Sequence, residues 1–138
     1  MTQMVLIAGP YRSGTGDDPS LMAANERAMH EVALAVFRRG HLPVTGEALA
    51  LPLIRLAAAA DASAEAGAAL AADDPAPMPG TPAFDAIFHP LARRLVARCD
   101  AVLRIGGPSA GADEMVALAR DHGATVLTTV DELAELRA

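Results

Sequence analysis

The sequence predicts an α/β fold: a flavodoxin- or Rossmann-like three-layer sandwich on a mainly parallel sheet of four to five strands, order 2-1-3-4. Three observations predict it. Short apolar runs alternate along the chain with longer segments whose apolar residues recur at helical spacing. The apolar runs lack the every-second-residue alternation of a half-wet strand, so each reads as a strand covered on both faces. Finally, the glycine clusters "GPYRSGTG" (9–16) and "GGPSAG" (106–111) each follow a strand and lead into a helix. That is where a doubly wound sheet carries its ligand loops.

Taken in order, "QMVLIAG" (3–9) is a buried first strand, and "PSLMAANERAMHEVALAVFRRG" (19–40) a helix. The spacing turns Leu21, Ala28, Val32, Leu34, Ala35 and Val36 toward the core, and Gly40 stops the helix. "HLPVTG" (41–46) is a short second strand entered through Pro43. "EALALPLIRL" (47–56) is helix-prone and apolar nearly all round. From about Asp61 to Pro82 the chain is rich in Ala, Asp, Pro and Gly. That tract reads as a mobile excursion without chemistry of its own, although its Ala-rich pieces are capable of short helix. "FDAIFHPLARRLVARC" (84–99) resumes a helix with Leu91, Leu95 and Val96 inward and Pro90 either in its first turn or interrupting the helix. "DAVLRIGG" (100–107) is the third strand, "SAGADEMVALARDHG" (109–123) a helix ended by Gly123, and "ATVLTT" (124–129) the fourth strand. "VDELAEL" (130–136) is a final short helix with Thr129 as its candidate cap. The chain reads as a single domain spanning 1–138.

Composition narrows the function. Hydrophobic residues make up 52% of the 138 but aromatics only 3%, so the core is built from Ala, Val, Leu and Met. A net charge of -6, with every basic residue an arginine, argues against a nucleic-acid polymer as partner. It leaves room for a small anion held by a few placed groups. The single Cys99 excludes an intramolecular disulfide framework and fits a reducing, cytoplasmic setting. The first apolar run is too short for a signal peptide, and nothing approaches a membrane span. No two histidines and carboxylates share metal-ligand spacing, so neither a metal nor a cofactor is expected.

The two glycine clusters hold more than half of the chain's eleven glycines. Glycine lets backbone N–H groups approach an anion at a helix N-terminus. Around them Gly9, Ser13, Gly14, Thr15, Gly107, Ser109 and Gly111 supply backbone and hydroxyl contacts, and Arg12 a charged fork. The competing reading is packing alone. Neither cluster matches the dinucleotide fingerprint or the Walker A pattern.

"LIAGPY" after the first strand, "GH" before the second, and "CDAVLRIGGPSAGADEMVALA" together resemble the nucleoside 2-deoxyribosyltransferase-like superfamily, above all its small members of uncharacterised function. The resemblance covers residues 4–47 and 85–128 and lapses across the Ala/Pro tract. It implies a pocket for a nucleoside or nucleotide and attack on the glycosidic carbon by a glutamate near the start of the helix after strand three. Water or a second base then resolves the glycosyl intermediate. It further implies that Tyr11 orients the sugar or the carboxylate, and that Ser109 and Gly111 contact a phosphate or sugar oxygen. Counting back four from Ala119 places Met115 at the family's nucleophile position, with Glu114 beside it as the candidate acid. An acid that commonly lies shortly before the Cys-Asp pair has Asp85 as its nearest counterpart, and Pro108 stands where transferases often carry Asp. A homodimer or higher homo-oligomer is the expected assembly, with "ALALPLIRL" as core or subunit contact.

Each acid also has a plainer reading. Asp113 and Glu114 suit the positive end of a helix dipole, as does Glu47 after the second strand; Glu47 is also a candidate for a sugar hydroxyl or for the missing acid. Asp100 reads as structural and Cys99 as a small buried hydrophobe. His41 is placed to contact the last helix carbonyls, His89 lies near the pocket if its helix begins there, and His30 and His122 face solvent. A binding or sensor domain that keeps the loops without the acid is the alternative to glycosidic chemistry. A third reading, an interaction domain without ligand, predicts Met115 and Leu118 filling the crevice.

Overall fold

The computed structural model describes residues 1–66 and 82–134. In chain order these form β1 (Met4–Ala8), α1 (Pro19–Arg38), β2 (Leu42–Thr45), α2 (Gly46–Ala66), α3 (Pro82–Val96), β3 (Ala101–Arg104), α4 (Ala110–Asp121), β4 (Thr125–Leu127) and a 3-10 turn, Val130–Glu132. They fall into two compact units, Met1–Thr45 with Arg93–Ala138, and Gly46–Ala92.

The first unit holds a four-stranded, all-parallel sheet in the order β2-β1-β3-β4 flanked by helices, the sandwich topology the sequence predicts. The strand runs lack alternation because both faces are covered: Val5, Leu6, Ile7, Ala101, Val102 and Leu103 are all buried. Val5, Ile7, Ala101 and Leu103 cluster with Met29 and Val36 of α1 and with Leu127 and Leu133. Strand pleating turns Leu6 and Val102 to the other face. α4 packs there against β3 and β1, and its buried Ala112, Met115, Val116 and Ala119 form the inward stripe.

Asp18 caps α1, accepting the Ser20 N–H, and Pro19 occupies the first turn, where its missing N–H costs nothing. The buried face of α1 is Met22, Met29 and Val36, spaced by sevens. Leu21, Ala28 and Leu34, expected inward, are instead exposed, because residues one or two positions off the inward line point about 100° or more away from it. Gly40 ends the segment with φ 93°. His41 contacts the helix end as expected, its backbone N–H donating to the Val36 carbonyl at 3.3 Å, while its buried ring accepts the Gln3 N–H and bonds Ala134. Asp100 is structural, taking the Met4 N–H at 2.8 Å. The last segment begins as a 3-10 turn, Val130–Glu132, rather than an α-helix, and residues 135–136 of the expected helix lie outside the described residues. Glu132 closes it by reaching back to the N–H groups of Thr128 and Thr129.

The second unit packs α2 on α3 through Ala50, Ile54 and Phe84, with Leu51, Ile87, Phe88 and Leu91 around them. Phe84 and Phe88 stack at 4.9 Å. α2 continues to Ala66, past Asp61 where the excursion was expected to begin; the rest of that tract, 67–81, lies outside the described residues. Pro90 sits inside α3 rather than in its first turn. Leu49, Leu53 and Leu56 on α2 remain exposed.

Candidate functional site

The carboxyl ends of β1 and β3 are paired neighbours, Ala8 opposite Arg104, so the loops that follow leave the sheet side by side at its topological switch point. Ile105 donates its N–H to the Ala8 carbonyl at 2.8 Å. The glycines there divide by cause. A Cβ on Gly9 would lie 2.9 Å from Ile105 Cγ1, and one on Gly106 would lie 2.6 Å from Pro10 Cδ. Those two glycines let one loop pack on the other. Gly14 and Gly16 are required by their backbone, with φ 75° and 57°. Gly107 and Gly111 answer to neither cause: neither has a left-handed φ, and a Cβ on either would meet nothing within 4 Å.

The first loop is held mostly by its own residues. Thr15, only 5% exposed, donates its hydroxyl to the Arg12 carbonyl at 2.5 Å and accepts the Asp17 N–H at 3.3 Å. Its hydroxyl thus serves the loop. Arg12 pairs with Asp17 through two contacts, Nε–Oδ1 at 2.5 Å and Nη2–Oδ2 at 3.0 Å. The hydrogen bond from Arg12 holds the Asp17 carboxyl below the usual carboxylate range. Arg12 therefore stands at the loop as half of a neutral pair. Asn25 of α1 anchors the Tyr11 carbonyl at 3.0 Å, and the Tyr11 residue is half-buried. Ser13 and Gly14 are exposed at the loop's outer edge.

The second loop is held by a residue that sequence reasoning passed over. Arg104, with a side chain 17% exposed, donates to the carbonyls of Ile105 and Gly107 and to Asp113 Oδ1, the last at 3.2 Å. Its signal was a lone arginine closing the apolar run "AVLR". Because a trans peptide is planar, drawing the Ile105 carbonyl toward the guanidinium turns the Gly106 N–H the opposite way. Asp113 is thereby a loop clamp. Ser109, 8% exposed, is the N-cap of α4 and accepts the Ala112 N–H at 3.2 Å. The intrahelical ladder starts with Asp113 N–H on the Ser109 carbonyl, which leaves Ala110 and Gly111 as first-turn donors at the positive end of the helix.

Within α4, Met115 is buried at 7% exposure. Glu114 sits at the margin of the buried stripe, its side chain 35% exposed and Arg93 Nη2 at 3.6 Å from Oε1. The unit thus gathers Gly9, Tyr11, Arg12, Ser13, Gly14, Gly107, Ser109, Gly111 and Glu114 on its two adjacent loops and the helix that follows. Glu47 and Asp85 belong to the other unit. Glu47 is buried at the start of α2, and Asp85 is exposed in the first turn of α3. His89 lies edge-on to Phe88 in the same unit. Cys99 is a buried thiol pushed up to about 11 by burial and by neighbouring Asp100.

Among the described residues no three His, Cys, Asp or Glu side chains converge as a metal-ligand set. Nor is any helix among them long and apolar enough to cross a membrane. Comparison with protein-family models, curated proteins and solved structures finds no match for this chain.

Proposed function

We propose that the loops after β1 and β3 bind a nucleoside or nucleoside monophosphate, and that Glu114 cleaves or transfers its N-glycosidic bond. The observation that carries the binding half is the pair Gly107 and Gly111. Gly111 lies in the first turn of α4, where glycine costs up to about 1 kcal/mol relative to alanine, and Gly107 lies in the loop just before its N-cap. Neither position gains packing or a special φ in return. Bare backbone at the positive end of α4, beside a second loop, suits the close approach of a polar ligand. The Arg12–Asp17 pair favours a neutral sugar over a phosphate dianion at the first loop. The glycosidic half rests on the family resemblance.

In this reading a Glu114 carboxylate oxygen bonds to the sugar C1′ as the C1′–N bond breaks. The base departs with the electron pair and takes up a proton. Water or an incoming base then adds at C1′ and releases the carboxylate. Arg93 gives that carboxylate a counter-ion, and Tyr11 orients it. Ser13, Ser109 and the Gly111 N–H hold sugar or phosphate oxygens.

The test is chromatographic detection of base released from a panel of ribo- and deoxyribonucleosides and their monophosphates, with Glu114→Gln beside the parent. The expected result is release by the parent, reduced roughly a thousandfold or more in the variant. Equal release by both proteins would remove Glu114 from the chemistry. The burial of Met115, with Glu114 at the margin, supports a second reading: a nucleoside-binding module without turnover. Measurable binding with no release from any substrate would select it.

A further inference from the structure

At the opposite end of the sheet from these loops, His41 joins two distant parts of the first unit. Its ring is only 4% exposed. Nδ1 lies 3.0 Å from the Gln3 N–H, just ahead of β1, and Nε2 lies 2.7 Å from the Ala134 carbonyl, beyond the 3-10 turn. Both partners are backbone groups with fixed roles. An N–H can only donate, so Nδ1 accepts; a carbonyl can only accept, so Nε2 carries the hydrogen. One neutral tautomer satisfies both bonds. The protonated ring satisfies one, because a hydrogen on Nδ1 would face the hydrogen of the Gln3 amide.

The ring borders a cavity of about 350 Å³ whose lining includes Gln3, Thr125, Leu127, Glu132 and Leu133. Among the described residues, charged groups stand near it on several elements. Glu132 lines the cavity, and Arg39 bonds the Leu133 carbonyl at 3.0 Å and Asp131 at 2.9 Å. Asp100 takes the Met4 N–H beside Gln3. Hydrogen bonds from Thr128 and Thr129 hold the Glu132 carboxyl below its usual range. A ring carrying hydrogens on both nitrogens can keep the Ala134 carbonyl only by turning Nδ1 away from the Gln3 N–H.

We propose that His41 is a proton-operated hook: neutral, it ties the entrance of β1 to the segment after β4, and protonated, it releases Gln3 while keeping Ala134. Release frees one wall of the cavity from the other and separates the entrance of the central strand from residues 130–134. The device is independent of any ligand at the glycine loops.

The test is amide and imidazole NMR of the whole chain between about pH 8 and pH 5. At the upper end the ring nitrogens should show the Nε2–H tautomer, with Gln3 protected from hydrogen exchange. As the ring gains its proton, Gln3 protection, corrected for intrinsic rate, should fall about five- to tenfold, the scale of one lost hydrogen bond. Protection at Leu42 and Ile105, whose N–H groups bond Gln3 and Ala8 carbonyls, should hold. In His41→Gln, which can donate and accept but not titrate, Gln3 protection should not change with pH. An Nδ1–H tautomer at high pH, or parent Gln3 protection that ignores ring protonation, would overturn the proposal even if the variant failed to fold.

Discussion

The loop after β1 and the loop after β3 stand side by side at the same end of the sheet, yet they are held by different means. The first closes on itself: Thr15, Arg12 and Asp17 bond one another, and Asn25 adds a tether from α1. The second is gripped from the sheet by Arg104, whose guanidinium reaches two loop carbonyls and Asp113. A self-closed loop keeps its shape at the expense of its polar groups, which is why Arg12 and Thr15 have little left for a ligand. A loop gripped from beneath has its carbonyls turned inward, leaving outward the N–H groups and bare glycines that a ligand can meet.

The largest break in that comparison is expected at the seam between the loops. Gly106→Ala places a Cβ 2.6 Å from the Pro10 ring at a φ of 76°, and neither the ring nor the backbone can yield cheaply. A loss of about 2–4 kcal/mol is expected in urea unfolding. Gly9→Ala, whose Cβ meets Ile105 Cγ1 at 2.9 Å, should cost less because that side chain has some freedom to move. A stability change within error at Gly106 would show that the loops do not abut as described.

Arg104→Met keeps the stem and removes the donors. It should cost about 1–3 kcal/mol, since the Ile105 and Gly107 carbonyls and Asp113 lose a shared partner. Asp113→Asn should cost less than that, because the two carbonyl bonds survive. Similar losses in the two variants would shift the clamp's weight from the carbonyls to the ion pair.

A smaller effect is expected in acid. Asp17, Asp18 and Glu132 are all held below their ordinary values of 3.8, 3.8 and 4.5 by hydrogen bonds present only in the folded chain. A depressed carboxyl contributes stability that is present above its unfolded value and is lost as pH falls through its folded value. Unfolding midpoints should therefore decline below about pH 4.5. The triple variant Asp17→Asn, Asp18→Asn, Glu132→Gln should show a shallower decline. An equally steep acid limb in that variant would assign the decline to other groups.

Much of this fold was legible because its strands are buried on both faces: "MVLIA" and "AVLR" carry the signal of a covered parallel strand, and their flanking glycines mark the switch point. The core face of α1 was harder to read. Its apolar residues outnumber the buried positions, and only the line through Met22, Met29 and Val36 meets the sheet. The loop positions of the candidate site were readable, but the roles of its charged residues were not. Whether an arginine offers its charge to a ligand depends on which acid the fold brings against it, as Asp17, five residues on, meets Arg12 and Asp113, nine residues on, meets Arg104. For His41 only the backbone contact with the helix end was legible, since its ring partners Gln3 and Ala134 are remote in sequence. The register of α4 was the most delicate point. One residue separates Glu114, at the margin, from Met115, in the core, and that separation is a rotation of about 100°.

The central claim, that the glycines opening α4 serve a ligand rather than the fold, is tested most directly by Gly111→Ala. Its Cβ meets nothing within 4 Å, so the variant should unfold at the parent's midpoint or be up to about 1 kcal/mol more stable. Titrated calorimetrically with the nucleoside that the parent binds best, it should lose at least about tenfold in affinity. Affinity equal to the parent's, with stability unchanged, would contradict the claim and return Gly111 to the ordinary glycines of a strand-to-helix turn.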